Sequence, residues 1–118
     1  RLDGRLTWSV DVAEQDLSLP FPPLLLITLT ENAVKHGIEP KPGQGHIRLV
    51  ARREQTHLLV SVIDDGVGLK LGIGSGLGLA NVRAQLATRY GDTASLNVSA
   101  AEPDGTRASL RIPLSLAS

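Results

Sequence analysis

Apolar and polar residues alternate along this chain with two distinct periods. Leu6, Trp8, Val10 and Val12 alternate with Thr7, Ser9 and Asp11, the period of two expected of a strand with one wet face. The pattern returns from Ile47 to Arg53 and from Leu58 to Ile63, joined by Glu54-Gln55-Thr56-His57, which reads as a hairpin connection. Leu96, Val98 and Ala100 repeat it, and after a Pro103-Asp104-Gly105 turn so do Ala108, Leu110, Ile112 and Leu114. Two segments carry the helical period instead. One opens after Pro22-Pro23 and is expected to stop at Gly37; the other runs from about Leu77 to Tyr90 and stops at Gly91. The order is β-α-β-β-α-β-β, with too few helices to cover both faces of a sheet. The expected fold is therefore α+β, a two-layer α/β sandwich with about five strands in a mixed sheet and the helices on one face. Residues 1–118 form one expected domain, without repeat, linker or low-complexity tract.

Composition narrows the function classes. The 118 residues hold 12 basic and 12 acidic side chains, so no basic field is available for nucleic acid or an anionic membrane surface. The densest apolar run, Leu24 to Ile27, is far shorter than the ~18 to 20 residues that cross a bilayer. Without Cys there is no disulfide, thiol nucleophile or thiolate metal site. A chain that opens on Arg1 and contains no Met is expected to be a piece of a longer protein.

The first helix carries a polar stripe. At about 100° per residue, Thr28, Glu31, Asn32, Lys35 and His36 fall within an arc of ~140°, with Leu26, Ile27, Leu29, Ala33 and Val34 opposite. One reading is a solvated face with a Glu31–Lys35 pair four residues apart. The other is functional: an amide oxygen, an ammonium and an imidazole on one stripe suit a metal–nucleotide, because Mg²⁺ keeps waters and phosphates in its shell and asks little of the protein.

Two glycine clusters follow. Asp64-Asp65-Gly66-Val67-Gly68 comes directly off a strand. It reads either as a plain turn or as a carboxylate placed to accept a hydrogen bond from an exocyclic amine, with glycines admitting the base. Gly72-Ile73-Gly74-Ser75-Gly76-Leu77-Gly78-Leu79 spends backbone entropy that no strand or helix recovers. A loop of this kind running into a helix presents its amides to an anion; a flexible linker is the alternative. The spacing fits neither GxxxxGK[ST] nor GxGxxG.

Taken in order, Glu31-Asn32-Ala33-Val34-Lys35-His36-Gly37, Asp64-x-Gly66-x-Gly68, Gly74-x-Gly76-x-Gly78 and Gly105-Thr106 resemble the four boxes of the Bergerat-fold ATP-binding superfamily, which includes gyrase, MutL and histidine kinases. Within it, PPLLLITLTENAVKHGI and GLGLANVRAQLATRYG resemble the catalytic domain of LytS-type sensor histidine kinases. The resemblance implies ATP and Mg²⁺ as cofactors. It makes Asn32 the metal ligand, Lys35 and His36 phosphate contacts, and Asp64 the adenine-recognising carboxylate, with Thr106 beside it. Gly66 and Gly68 would form the base-side loop, and Gly74, Gly76, Leu77 and Gly78 the phosphate-side lid. Glu31 would polarise an acceptor histidine unless it pairs with Lys35, and Arg83 stands at a recurrent position that is either functional or structural.

Two departures from the family pattern bear on the chemistry. Hydrolytic relatives carry a general-base Glu four residues before the metal asparagine, where this chain has Thr28, so slow hydrolysis is expected. Only Leu69 to Ile73 separate the two glycine boxes, so the lid is expected to be short. The implied reaction is transfer of the ATP γ-phosphoryl to a histidine on an upstream dimerisation segment. His36, His46 and His57 are read as local polar contacts rather than acceptors. The implied partners are that segment and a response regulator, in a homodimeric, membrane-anchored parent whose catalytic part is cytoplasmic. A nucleotide-sensing domain without phosphotransfer and an anti-sigma-type serine kinase are the alternatives.

Overall fold

A computed structural model describes residues 6–12, 23–38, 43–66, 77–101 and 105–114. Five strands form one sheet: β1 (Leu6–Val12), β2 (Gly45–Glu54), β3 (His57–Asp64), β4 (Ser95–Ala100) and β5 (Thr106–Pro113). Their spatial order is β1-β2-β3-β5-β4. β1 pairs parallel to β2, and every other neighbour is antiparallel. The helices are α1 (Pro23–Asn32), prolonged by a π-helical turn (Ala33–Ile38), and α2 (Leu77–Tyr90), followed by a 3-10 turn (Gly91–Thr93). This is the expected element order.

Both helices pack on the same face. Leu25, Leu29 and Ala33 of the first helix and Val82, Leu86 and Tyr90 of α2 meet Ile47, Leu58, Val60, Val62, Ala108, Leu110 and Ile112 from alternate positions of three strands in one core. The other face carries the polar positions of the same strands, including Arg48, Arg52, Arg107 and Arg111. At its centre Ser61 and Ser109, directly opposite in register, share a hydrogen bond of 2.9 Å.

The topology has a consequence for handedness. β1-α1-β2 and β3-α2-β4 each join parallel strands, and both progress in the same lateral direction. The strands of the second unit point opposite to those of the first, yet both helices lie on one face. The two crossovers are therefore of opposite hand, and one of them is left-handed, against the strong right-handed preference of such connections.

Local chemistry explains most element ends. The β2–β3 hairpin turns on Gln55, a non-glycine residue with φ of 54°. α2 ends where Gly91 takes φ of 63°, a left-handed stop that glycine adopts without strain. The first helix differs from expectation: Gly37 does not end it, and helical backbone continues to Ile38. Ile38 is fully buried, so packing carries the chain past the glycine. The side chain of Ile38 also lies against Gly45, where an added Cβ would come within 2.6 Å of its Cγ2 atom. Ile27, expected on the apolar side of this helix, is half exposed, because the sheet covers only the Leu25-Leu29-Ala33 ridge.

Leu110 has no exposed surface and lies in the core that β5 shares with residues of both helices. Leu110→Ala is expected to lower the unfolding free energy by about 2–5 kcal/mol, measured by urea denaturation, with far-UV circular dichroism unchanged.

Candidate functional site

β3 is central, paired to β2 on one side and β5 on the other, and its last residue is Asp64. The Asp64 side chain lies on the helix side of the sheet, in the alternation that also buries Val60 and Val62, and the residue is 4% exposed. A carboxylate so buried needs hydrogen-bond donors. One is the backbone N–H of Gly66, which donates to Oδ1 at 2.8 Å, so that the chain folds back over the carboxylate as it leaves the strand. Thr106, the first residue of β5, stands opposite Asp64 in register. Gly105 precedes it with φ of 103°, and a Cβ there would overlap the Asp64 carbonyl oxygen. Asp64, Gly66, Gly105 and Thr106 are thus brought together, although Gly66 and Gly105 are far apart in sequence.

Asp65 ends the β2–β3 ladder in a different way. Its backbone N–H donates to the His46 carbonyl at 3.2 Å. In return the His46 N–H donates to the Asp65 side chain, Oδ1, at 2.8 Å. A side-chain oxygen thus stands in for the backbone carbonyl, which frees the backbone to turn away toward Gly66.

The polar stripe on the first helix is divided between two surroundings. Asn32 and Thr28 are half-buried on the flank of the Leu25-Leu29-Ala33 ridge. Glu31 and Lys35 are exposed on the other side, where with Trp8, Leu26, Ile27, Val34 and Leu49 they line an open, largely apolar groove of about 580 Å³. Among the described residues Glu31 and Lys35 form no ion pair with each other. Lys35 and His36 lie in the π-helical turn, a local widening that helical periodicity does not reveal. The groove was legible only in part: Trp8 and Val10 sit on the apolar side of β1, and neither helix covers them.

Of the remaining sequence candidates, Gly68, Gly74 and Gly76, and the lid from Leu69 to Ile73, lie outside the described residues. Leu77 and Gly78 open α2, and Arg83 is exposed on its surface. His57 is tied to the Thr56 hydroxyl at 3.0 Å and the Thr93 carbonyl at 3.2 Å. His46 is held by two hydroxyls of β1. Both histidines make the local contacts expected of them.

Comparison with known proteins agrees with this geometry. Residues 23–116 match the family described as Histidine kinase-, DNA gyrase B-, and HSP90-like ATPase. The sensor histidine kinase BtsS of Escherichia coli K12 is 35% identical over 116 residues, covering 96% of this chain and 20% of BtsS. The sensor protein LytS of Enterococcus faecalis is 29% identical, covering 97% of this chain and 22% of LytS. The chain thus spans about a fifth of the length of these curated relatives. Among solved structures, the blue-light activated histidine kinase of Erythrobacter litoralis superposes with a TM-score of 0.72 at 26% identity, over 95% of this chain and 36% of that one.

Gly105→Ala should be costly out of proportion to one methyl group, since it meets both a positive φ and the Asp64 carbonyl. The expected loss is at least ~1–3 kcal/mol in chemical denaturation, with slower-exchanging amides of the β3–β5 pair becoming unprotected in hydrogen exchange.

Proposed function

From the premise that the chain belongs to the family of histidine kinase-, DNA gyrase B- and HSP90-like ATPases, which makes it an ATP-binding domain, we propose that it is the catalytic part of a sensor kinase transferring the γ-phosphoryl of ATP to a histidine. The observation that carries the reading is the buried Asp64, with the Gly66 amide on one oxygen and Thr106 across the strand pair. A buried carboxylate braced by the Gly66 amide is a rigid acceptor for the adenine amino group, and Thr106 supports the same end. Gly66 and Gly68 admit the base.

At the phosphate end, Asn32 offers a neutral, hard oxygen donor on a half-buried helix flank, which fits Mg²⁺ held chiefly by phosphates and water. Bound there, Mg²⁺ supplies neutralisation of phosphate charge. Lys35 and His36 are the phosphate contacts of this reading, with Gly74, Gly76, Leu77 and Gly78 as the phosphate-side lid; Leu77 and Gly78 open α2, where the helix dipole favours an anion. In the transfer, a bond forms from an imidazole nitrogen of the acceptor to the γ-phosphorus while the bridging oxygen leaves with ADP. Glu31, exposed beside the groove, polarises the acceptor and takes up its proton. Catalysis is mostly positioning and charge stabilisation. Thr28, standing where hydrolytic relatives place a base, leaves water unactivated.

The acceptor lies on an upstream dimerisation segment of a homodimeric parent, and a response regulator takes the phosphoryl onward. The parent is membrane-anchored with this domain on the cytoplasmic side; among the described residues no helix is long and apolar enough to cross a membrane.

Titration calorimetry tests the site. Asp64→Asn is expected to remove detectable ATP binding, and Asn32→Ala to abolish its Mg²⁺ dependence while leaving residual metal-free affinity. ATP binding untouched by both changes would overturn the assignment. Joined to its upstream segment, the wild-type chain is expected to give an acid-labile, base-stable phosphoprotein, and an acid-stable one would point to serine instead.

A further inference from the structure

β1 is an edge strand with an unusual attachment. Neither helix covers Trp8 or Val10, which are 47% and 65% exposed, and its one strand partner is β2. On the opposite face its contacts converge on His46. The ring Nδ1 lies 2.6 Å from the Thr7 hydroxyl and Nε2 lies 3.0 Å from the Ser9 hydroxyl, so one imidazole spans two successive same-face residues of β1. Thr7 has one hydroxyl proton, and it points to the Gly45 carbonyl at 3.3 Å. The consistent arrangement is therefore Nδ1–H donating to Thr7 and the Ser9 hydroxyl donating to Nε2. Farther along, Arg48 meets Asp11 at 3.1 Å, an exposed pair that contributes little.

The backbone of the same His46 is held in both directions by Asp65, through its amide at 3.2 Å and its carboxylate at 2.8 Å. Asp65 is the residue between Asp64 and Gly66, inside the turn whose amide braces Asp64. His46 thus grips β1 with its ring and the Asp64 turn with its peptide.

We propose that His46 and Asp65 form a latch through which the docking of β1 sets the position of Asp64, and with it the recognition of the adenine base. The latch rests on the adenine-binding role of Asp64 given above. His46 and Asp65 act as positioning residues; neither touches the nucleotide. When β1 is seated, the His46 peptide is immobile and Asp65 holds the turn in place. When β1 shifts, its hydroxyls pull the ring, and the turn under Asp64 relaxes. A mechanical change in β1 is thereby read as a change in nucleotide affinity at the far side of β2.

The test uses Thr7→Val/Ser9→Ala, which removes both hydroxyls from half-exposed or exposed positions and keeps the β1–β2 ladder. ATP and GTP affinities are measured by calorimetry alongside the melting temperature. Loss of the two hydrogen bonds is expected to weaken ATP binding about fivefold or more and to narrow the preference for ATP over GTP, because guanine presents a carbonyl oxygen where adenine presents the 6-amino group that Asp64 accepts from. Asp65→Ala is expected to do the same, and Asp65→Asn, which retains an Oδ1 acceptor for the His46 amide, to restore the wild-type ratio. An unchanged ATP-to-GTP ratio in the double variant overturns the latch. So does a parallel loss of both nucleotides with a lowered melting temperature, since that is general loosening. If Asp64→Asn abolishes ATP binding while the latch variants do not alter it, the latch fails and the adenine site stands. If Asp64→Asn binds normally, both fail together.

Discussion

A carboxylate taken out of water has to be met by donors that do not move, and the architecture around Asp64 is arranged to meet that need. Leaving an ionised group buried and unpaired costs several kcal/mol, so the position is tolerable only where backbone amides can be brought to it. Here the donor comes from the turn that follows, Gly66 N–H at 2.8 Å. The turn can fold back because Asp65 releases the ladder by substituting its side chain for its carbonyl. On the other flank, β5 can approach because Gly105 has no Cβ to strike the Asp64 carbonyl. Adjacent strands, a turn and a glycine distant in sequence all answer to one buried carboxyl group.

That arrangement depends on which face of the sheet the helices occupy. Because the two crossovers are of opposite hand, α1 and α2 share a layer and pack against each other as well as on the sheet. Asp64 opens toward that layer, so helix-borne groups such as Asn32 and the start of α2 share its side of the sheet. Two right-handed crossovers would have put one helix on each face and separated the two halves of a nucleotide site. The left-handed crossover is thus a requirement of the site, imposed against the ordinary preference of the chain.

The sheet's second face, left without helices, is where β1 is tied down. Its apolar residues look toward the helix layer, where Leu6 reaches the core but Trp8 and Val10 stay exposed, while its hydroxyls find His46. β1 is an edge strand, held by one ladder and by side-chain bonds from Thr7, Ser9 and Asp11. It is also joined to the Asp64 turn, through His46 and Asp65. A single ladder and a connection to that turn together are what a mechanical input requires, and the first follows from β1 being at the edge.

Much of this was legible before any coordinates. Alternation located all five strands because apolar and polar residues take opposite faces in each, and the stop at Gly91 followed from the left-handed backbone that glycine favours. Asp64 and Gly66 could be singled out because a carboxylate at a strand end followed by glycines is a local pattern. Local patterns failed where the decision was made by contacts distant in sequence. Gly37 looked like a helix end, but burial of Ile38 continued the helix through it as a π-helical turn. The stripe from Thr28 to His36 looked like one surface, but the width of the sheet beneath the helix placed Asn32 on one flank and Glu31 and Lys35 beside a groove. Nothing in the spacing of Thr7, Ser9, His46 and Asp65 suggested that they act together. By itself, then, the sequence determined the elements, their buried faces and the chemistry available, since periodicity and residue type are local properties. The tertiary structure alone decided the hand of the crossovers, the division of the polar stripe and the bond from β1 through His46 to Asp65, because each depends on which strands become neighbours once the core closes.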